Sequence, residues 1–125
     1  MSLAIEQVAR EDIVILALRG KLTFRESDNA FERIQALRAS GHLKVVLDLT
    51  RVDYVDSTGL GAIVGGYTSL TKQGGALKLV NPHMRTRELL QMTLLNTLFE
   101  VFENVEDAVA SFTPRARSSS STSSA

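Results

Sequence analysis

Residues 52–70 read VDYVDSTGLGAIVGGYTSL. Leu60, Ile63, Val64, Tyr67 and Leu70 recur at helical spacing, so the stretch predicts an amphipathic helix opening after Asp56. Upstream, Val45-Val46-Leu47-Asp48-Leu49 is short and nearly all apolar, the pattern of a strand covered on both faces. Downstream, Gly74-Gly75 stops the helix, and Ala76 to Val80 reads as a second strand. Strand, helix and strand at this length form a βαβ unit with a right-handed crossover. That unit decides the fold class: α/β, with a mixed sheet of four to five strands and about four helices.

The flanking segments extend the unit. Ala4–Val8 and Ile13–Leu18 suggest a hairpin whose second strand ends at Gly20. Thr23-Phe24-Arg25-Glu26 fits a capping box in which Thr23 caps a first helix. That helix carries Phe31, Ile34 and Leu37 on one face, and Gly41 closes it. A loop from Thr50 to Asp56 precedes the central helix. Asn81-Pro82 predicts a third helix, with Asn81 as cap and proline in the first turn, running to about Met92. Phe99 to Phe102 reads as a short strand. Asn104 caps a last helix with Glu106 and Asp107 in its first turn and Val105, Val109 and Phe112 on its apolar side.

The chain has 125 residues, enough for one domain with one core. Residues 1–113 are expected to form it. Residues 114–125 are a Ser/Thr-rich tract that cannot bury apolar surface, and a disordered tail is expected there. Formal net charge is zero; with Arg115 and Arg117 in the tail, the rest carries −2. That balance offers no electrostatic footprint for nucleic acid or an anionic membrane. There is no cysteine, which excludes disulfides, thiol catalysis and Cys-based zinc sites. No apolar run approaches the roughly 18 residues of a membrane span, and the first residues lack the layout of a secretory signal. A cytoplasmic protein is expected.

The hydroxyl cluster Asp56-Ser57-Thr58 fits catalysis poorly. A nucleophile elbow needs Gly-x-Ser-x-Gly, and Val55 stands where the first glycine belongs. The two histidines, His42 and His83, lie before a strand and in the first turn of a helix. No His or carboxylate pair has the helical spacing of metal ligands. Gly59-x-Gly61 superficially resembles a dinucleotide fingerprint, but Val64 takes the third glycine position. The strand ending Leu79-Val80-Asn81 also lacks the ribose-binding acid. Asp56 or Ser57 can act as a plain helix cap. Capping leaves the glycines unexplained, because each interior glycine costs a helix roughly 1 kcal/mol relative to alanine. A face bared by Gly61 and Gly65 permits close approach, either of the domain's own elements or of a partner.

Val46-Leu47-Asp48-Leu49, then Val52-Asp53-Tyr54-Val55-Asp56-Ser57-Thr58-Gly59-Leu60-Gly61, with Gly74-Gly75 before a strand and Leu98-Phe99 before an acidic last helix, resembles the STAS domain family. The likeness is greatest to its bacterial anti-sigma factor antagonists and runs from Met1 to Phe112. It implies that Ser57 is a phosphorylation site on a protein without catalytic activity or cofactor. The unphosphorylated form binds an anti-sigma factor that is also a serine kinase. Phosphorylation dissolves the complex, and a metal-dependent PP2C-type phosphatase resets it. Thr23, Asp56, Ser57, Thr58, Gly59, Gly61 and Gly65 are the partner-binding residues so implied. Gly20-Lys21-Leu22-Thr23 departs from the family's frequent Gly-Glu-Leu-Asp, which gives the partner a different charge pattern to meet. The other reading is a STAS adaptor subunit of a lipid or anion transport system, in which Ser57 is not modified.

Overall fold

The computed structural model describes residues 3–112. The tail from 114 onward lies outside them. Five strands, β1 (Leu3–Arg10), β2 (Ile13–Leu22), β3 (Lys44–Val55), β4 (Ala76–Val80) and β5 (Val101–Phe102), form one sheet in sequential order. β1 pairs antiparallel with β2, and every later pair is parallel. The helices are α1 (Ser27–Ala39), α2 (Ser57–Thr71), α3 (Met84–Met92) and α4 (Val105–Ala110). This is the mixed α/β fold expected.

Alternation along the central strands sorts side chains into two cores. Val14, Leu16 and Leu18 of β2, Val45, Leu47 and Leu49 of β3, and Leu77 and Leu79 of β4 share one core with α1, α2 and α3. Ile13, Ile15, Val46 and Val80 face the other way and meet Val105, Ala108 and Val109 of α4 and Phe112 just after it. The apolar run in β3 thus reflects burial on both faces. Leu47 is 1% exposed. Leu47→Ala is expected to lower unfolding free energy by about 2–5 kcal/mol, measured by urea denaturation, because the lost side chain leaves a cavity between two layers.

Several boundaries differ from the sequence-based expectation. β2 does not end at Gly20; that glycine takes φ +114° inside the strand, at an irregularity in the register with β3, and pairing continues to Leu22. Residues 50–55, expected as loop, continue β3: Arg19 pairs with Arg51, Lys21 with Tyr54 and Leu22 with Val55. Two register shifts break the alternation there, so Val52 returns to the core out of phase with Leu49, and Val55 out of phase with Val52. The short strand near Phe99 contains only Val101 and Phe102; Phe99 instead packs edge-on against Tyr67, ring centroids 5.1 Å apart.

Two caps also change. Thr23 does not cap α1. Its backbone carbonyl accepts from the amides of Glu26 (2.9 Å) and Ser27 (2.8 Å), closing a turn, and the helix starts at Ser27. Asn81 does not cap α3. Its φ is +49°, and its amide donates to the Phe102 carbonyl at 2.7 Å, which extends the sheet. His83 is the cap, with Nδ1 accepting from the Arg85 amide at 3.3 Å. The Asn104 cap on α4 forms as expected, accepting from the Asp107 amide at 2.8 Å.

Candidate functional site

β3 delivers the chain to the start of α2 at the carboxyl edge of the sheet. Asp56 is the N-cap in extended conformation (φ −96°, ψ −175°), and Ser57 is the first helical residue. The Asp56 carboxylate is fully employed. Oδ1 accepts from the Gly59 amide at 2.8 Å and the Thr58 hydroxyl at 2.7 Å. Oδ2 accepts from the Phe24 amide at 3.0 Å, and the Asp56 amide donates to the Leu22 carbonyl at 3.2 Å. One aspartate therefore caps α2 and ties it to the turn after β2. Burial pushes this carboxyl up, but the Thr58 hydroxyl and the amides of Gly59, Phe24 and Thr58 outweigh it, leaving the pKa below the ordinary aspartate value. Asp56 is thus anionic at neutral pH.

Ser57 contrasts with its neighbours. It is exposed, and its hydroxyl has no hydrogen-bond partner among the described residues. Thr58 is also exposed, but its hydroxyl is spent on Asp56. The cap that the sequence left open between Asp56 and Ser57 belongs to Asp56, and the serine is left accessible and unengaged.

The glycines of α2 divide by use. A Cβ on Gly59 would collide with the Leu22 carbonyl oxygen and lie 2.9 Å from its carbon. One on Gly65 would come within 3.0 Å of the Phe31 ring, and one on Gly66 within 2.7 Å of Ile34 Cδ1. These three let α2 lie close against β2 and α1, so Gly59 and Gly65 are used inside the domain. A Cβ on Gly61 meets nothing within 4 Å. Gly61 is the glycine of this helix that serves no internal packing, and it faces solvent.

Beside Ser57, a groove of about 710 Å³ runs between the beginnings of α1 and α2. Phe24, Asp28 and Phe31 line one wall, and Thr58, Gly61 and Ala62 the other. Phe24 is 74% exposed, an unusual setting for a large aromatic ring. Phe24, Asp28, Phe31 and Ala62 were not legible as site residues. Phe24 sat inside an apparent capping box and off the α1 stripe, and the pairing of the two helix starts is tertiary. Thr23 is half-buried. Lys21 lies across from Asp53, their charged atoms 3.7 Å apart, both exposed.

The STAS domain family model matches residues 4–108. A Paenibacillus polymyxa protein named anti-sigma F factor antagonist is 27% identical over 110 residues, covering 87% of this chain and 94% of that protein. The crystal structure of an anti-sigma factor antagonist from Mycobacterium paratuberculosis superposes with a TM-score of 0.80 at 21% identity, over 88% of this chain and 93% of that one. The Bacillus cell fate determinant SpoIIAA, solved in its phosphorylated form, gives 0.72 at 21% identity, over 87% and 99%. These two structures share the fold described above.

Proposed function

This chain belongs to the STAS domain family, and on that premise we propose that it is an anti-sigma factor antagonist working as a phosphorylation-controlled binding switch. Unphosphorylated, it binds an anti-sigma factor that is also a serine kinase. Phosphate on Ser57 ends the complex, and a PP2C-type phosphatase restores it. The chain is the substrate and the binding module in this cycle and performs no catalysis.

The observation that carries the reading is the contrast at the start of α2: an exposed, unengaged Ser57 hydroxyl beside an Asp56 carboxylate locked into the cap. A kinase can reach this hydroxyl without dismantling any contact. A phosphate there adds about −1.5 to −2 charges next to a fixed anion. The helix N-terminus tolerates that charge, so the fold persists while the surface offered to the partner gains negative charge and changes shape.

The binding face we assign is Ser57, Thr58 and Gly61 on α2 with Phe24 and Phe31 across the groove. An exposed aromatic beside a bare glycine is suited to anchoring a partner side chain. Gly61→Leu is expected to abolish partner binding while the melting temperature does not fall, because the site is open to solvent. Calorimetric titration against the partner checks this; undiminished binding would remove Gly61 from the face.

The test of the function is incubation with candidate serine kinases of the anti-sigma type and ATP, followed by intact-mass measurement and peptide mapping. One phosphate on Ser57 is expected. Phosphate on Thr58 alone would overturn the residue assignment. No phosphate, with unchanged partner binding by Ser57→Ala and Ser57→Asp, would leave the transport-adaptor reading in its place.

A further inference from the structure

The sheet face that receives α4 is only partly covered. α4 packs over Ile13, Ile15, Val46 and Val80. Further along the strands the same face opens into a groove of about 610 Å³, floored by Ala17 and Asp48 and flanked by Glu6, Arg19, Thr50 and Arg51. Parallel pairing sets Arg19 directly across from Arg51. From Leu49 in the core, strict alternation would send Arg51 inward. Between Ala17 and Arg19, however, β3 advances three residues against two on β2, and Arg51 emerges beside Arg19.

Like charges set across from each other in a sheet repel. Among the described residues, neither arginine has a carboxylate within ion-pair distance, whereas Arg10, Lys21, Lys44 and Lys78 each do. Asp48 forms no ion pair with either. Its Oδ1 accepts from the Thr50 amide at 3.0 Å and the Thr50 hydroxyl at 2.6 Å, and Asn81 Nδ2 approaches Thr50 Oγ1 at 3.5 Å. That chain leaves the second Asp48 oxygen, with Glu6 opposite, as acceptors in the groove.

We propose that this groove binds a phosphate group, free or carried by a small hydroxylated molecule, between Arg19 and Arg51. Two adjacent guanidinium forks match the oxygen geometry of phosphate. Hydroxyl groups on the ligand would donate to Asp48 and Glu6. The site is on the sheet face opposite α2 and Ser57, so it is separate from the proposed phosphorylation.

The test is nuclear magnetic resonance titration of the full chain, ¹⁵N-labelled, with inorganic phosphate and with glycerol 3-phosphate in parallel, at constant ionic strength. Saturable shifts at residues 17–20 and 50–52 and at the two arginine side chains are expected. The double variant Arg19→Gln/Arg51→Gln should bind at least about tenfold more weakly, as expected for losing charge-assisted hydrogen bonds, and Arg25→Gln should bind as wild type. The spectrum and melting temperature of the double variant establish that it is folded. Tighter binding of glycerol 3-phosphate supports an organic phosphate read by Glu6 and Asp48; equal binding supports phosphate alone. Shifts that never saturate with either anion, or that persist in the folded double variant, would overturn the proposal.

Discussion

Phosphorylation of Ser57 is expected to weaken binding of the partner kinase by about three orders of magnitude. In the proposed complex the Ser57 hydroxyl faces the nucleotide phosphates of the kinase. Two unit charges about 4 Å apart repel by roughly 4 kcal/mol at an effective dielectric near 20, which is close to three decades in affinity. The domain should remain folded, because the added charge sits at an exposed helix N-terminus and displaces no hydrogen bond of Asp56. Ser57→Asp should weaken binding less, since a carboxylate carries less charge on a shorter arm. Ser57→Ala should bind persistently. It removes no hydrogen bond among the described residues, and Asp56 keeps the cap. Calorimetric titration of the four forms against the partner, with melting curves for each, checks the order: alanine equal to wild type, aspartate weaker, phosphate weakest. A phosphorylated form that binds as tightly as wild type would end the switch mechanism.

Gly59→Ala is expected to be the most disruptive small substitution in α2, with a loss of about 3 kcal/mol or more in urea denaturation. The new methyl group would run into the backbone carbonyl of Leu22, which cannot rotate away as a side chain can. That carbonyl also receives the Asp56 amide, so moving it disturbs the link between β2 and the cap. Overpacking of this kind typically costs 1–3 kcal/mol, and the strained cap adds to it. Gly61→Ala, two residues along the same helix, should have the opposite sign. It meets open space and exchanges glycine for the best helix former, a gain of up to about 1 kcal/mol. The pair separates backbone contact from helix propensity within one turn. Equal melting temperatures for the two variants would show that α2 does not lie against β2 as described.

The contrast between these glycines also marks what could be read without a structure. Their presence at 59, 61, 65 and 66 signalled close approach, since each weakens the helix it occupies. What approaches was not legible. Leu22 lies 37 positions before Gly59 and Phe31 lies 34 before Gly65, and no local pattern connects them. The same separation hid the role of Phe24, whose amide is held by Asp56 across 32 positions.

The sequence by itself determined the α/β class, the βαβ unit around β3 and β4, the start of α2 after Asp56 and the cap at Asn104. Each rests on local chemistry: side-chain periodicity, a capping residue, or glycines that end a helix. Only the tertiary structure decided how far β2 and β3 run, because residues 50–55 lack alternation and become strand by pairing with β2 across two irregularities. It moved the starts of α1 and α3, where backbone amides and carbonyls found partners in a turn and in the sheet that competed with the expected caps. It also decided which hydroxyl is free. Asp56 and Ser57 are alike as potential caps in the chain, and Thr58 offers a second hydroxyl beside them. The geometry of a single helix start gives Asp56 the amides and Thr58 the carboxylate, and leaves Ser57 to the solvent.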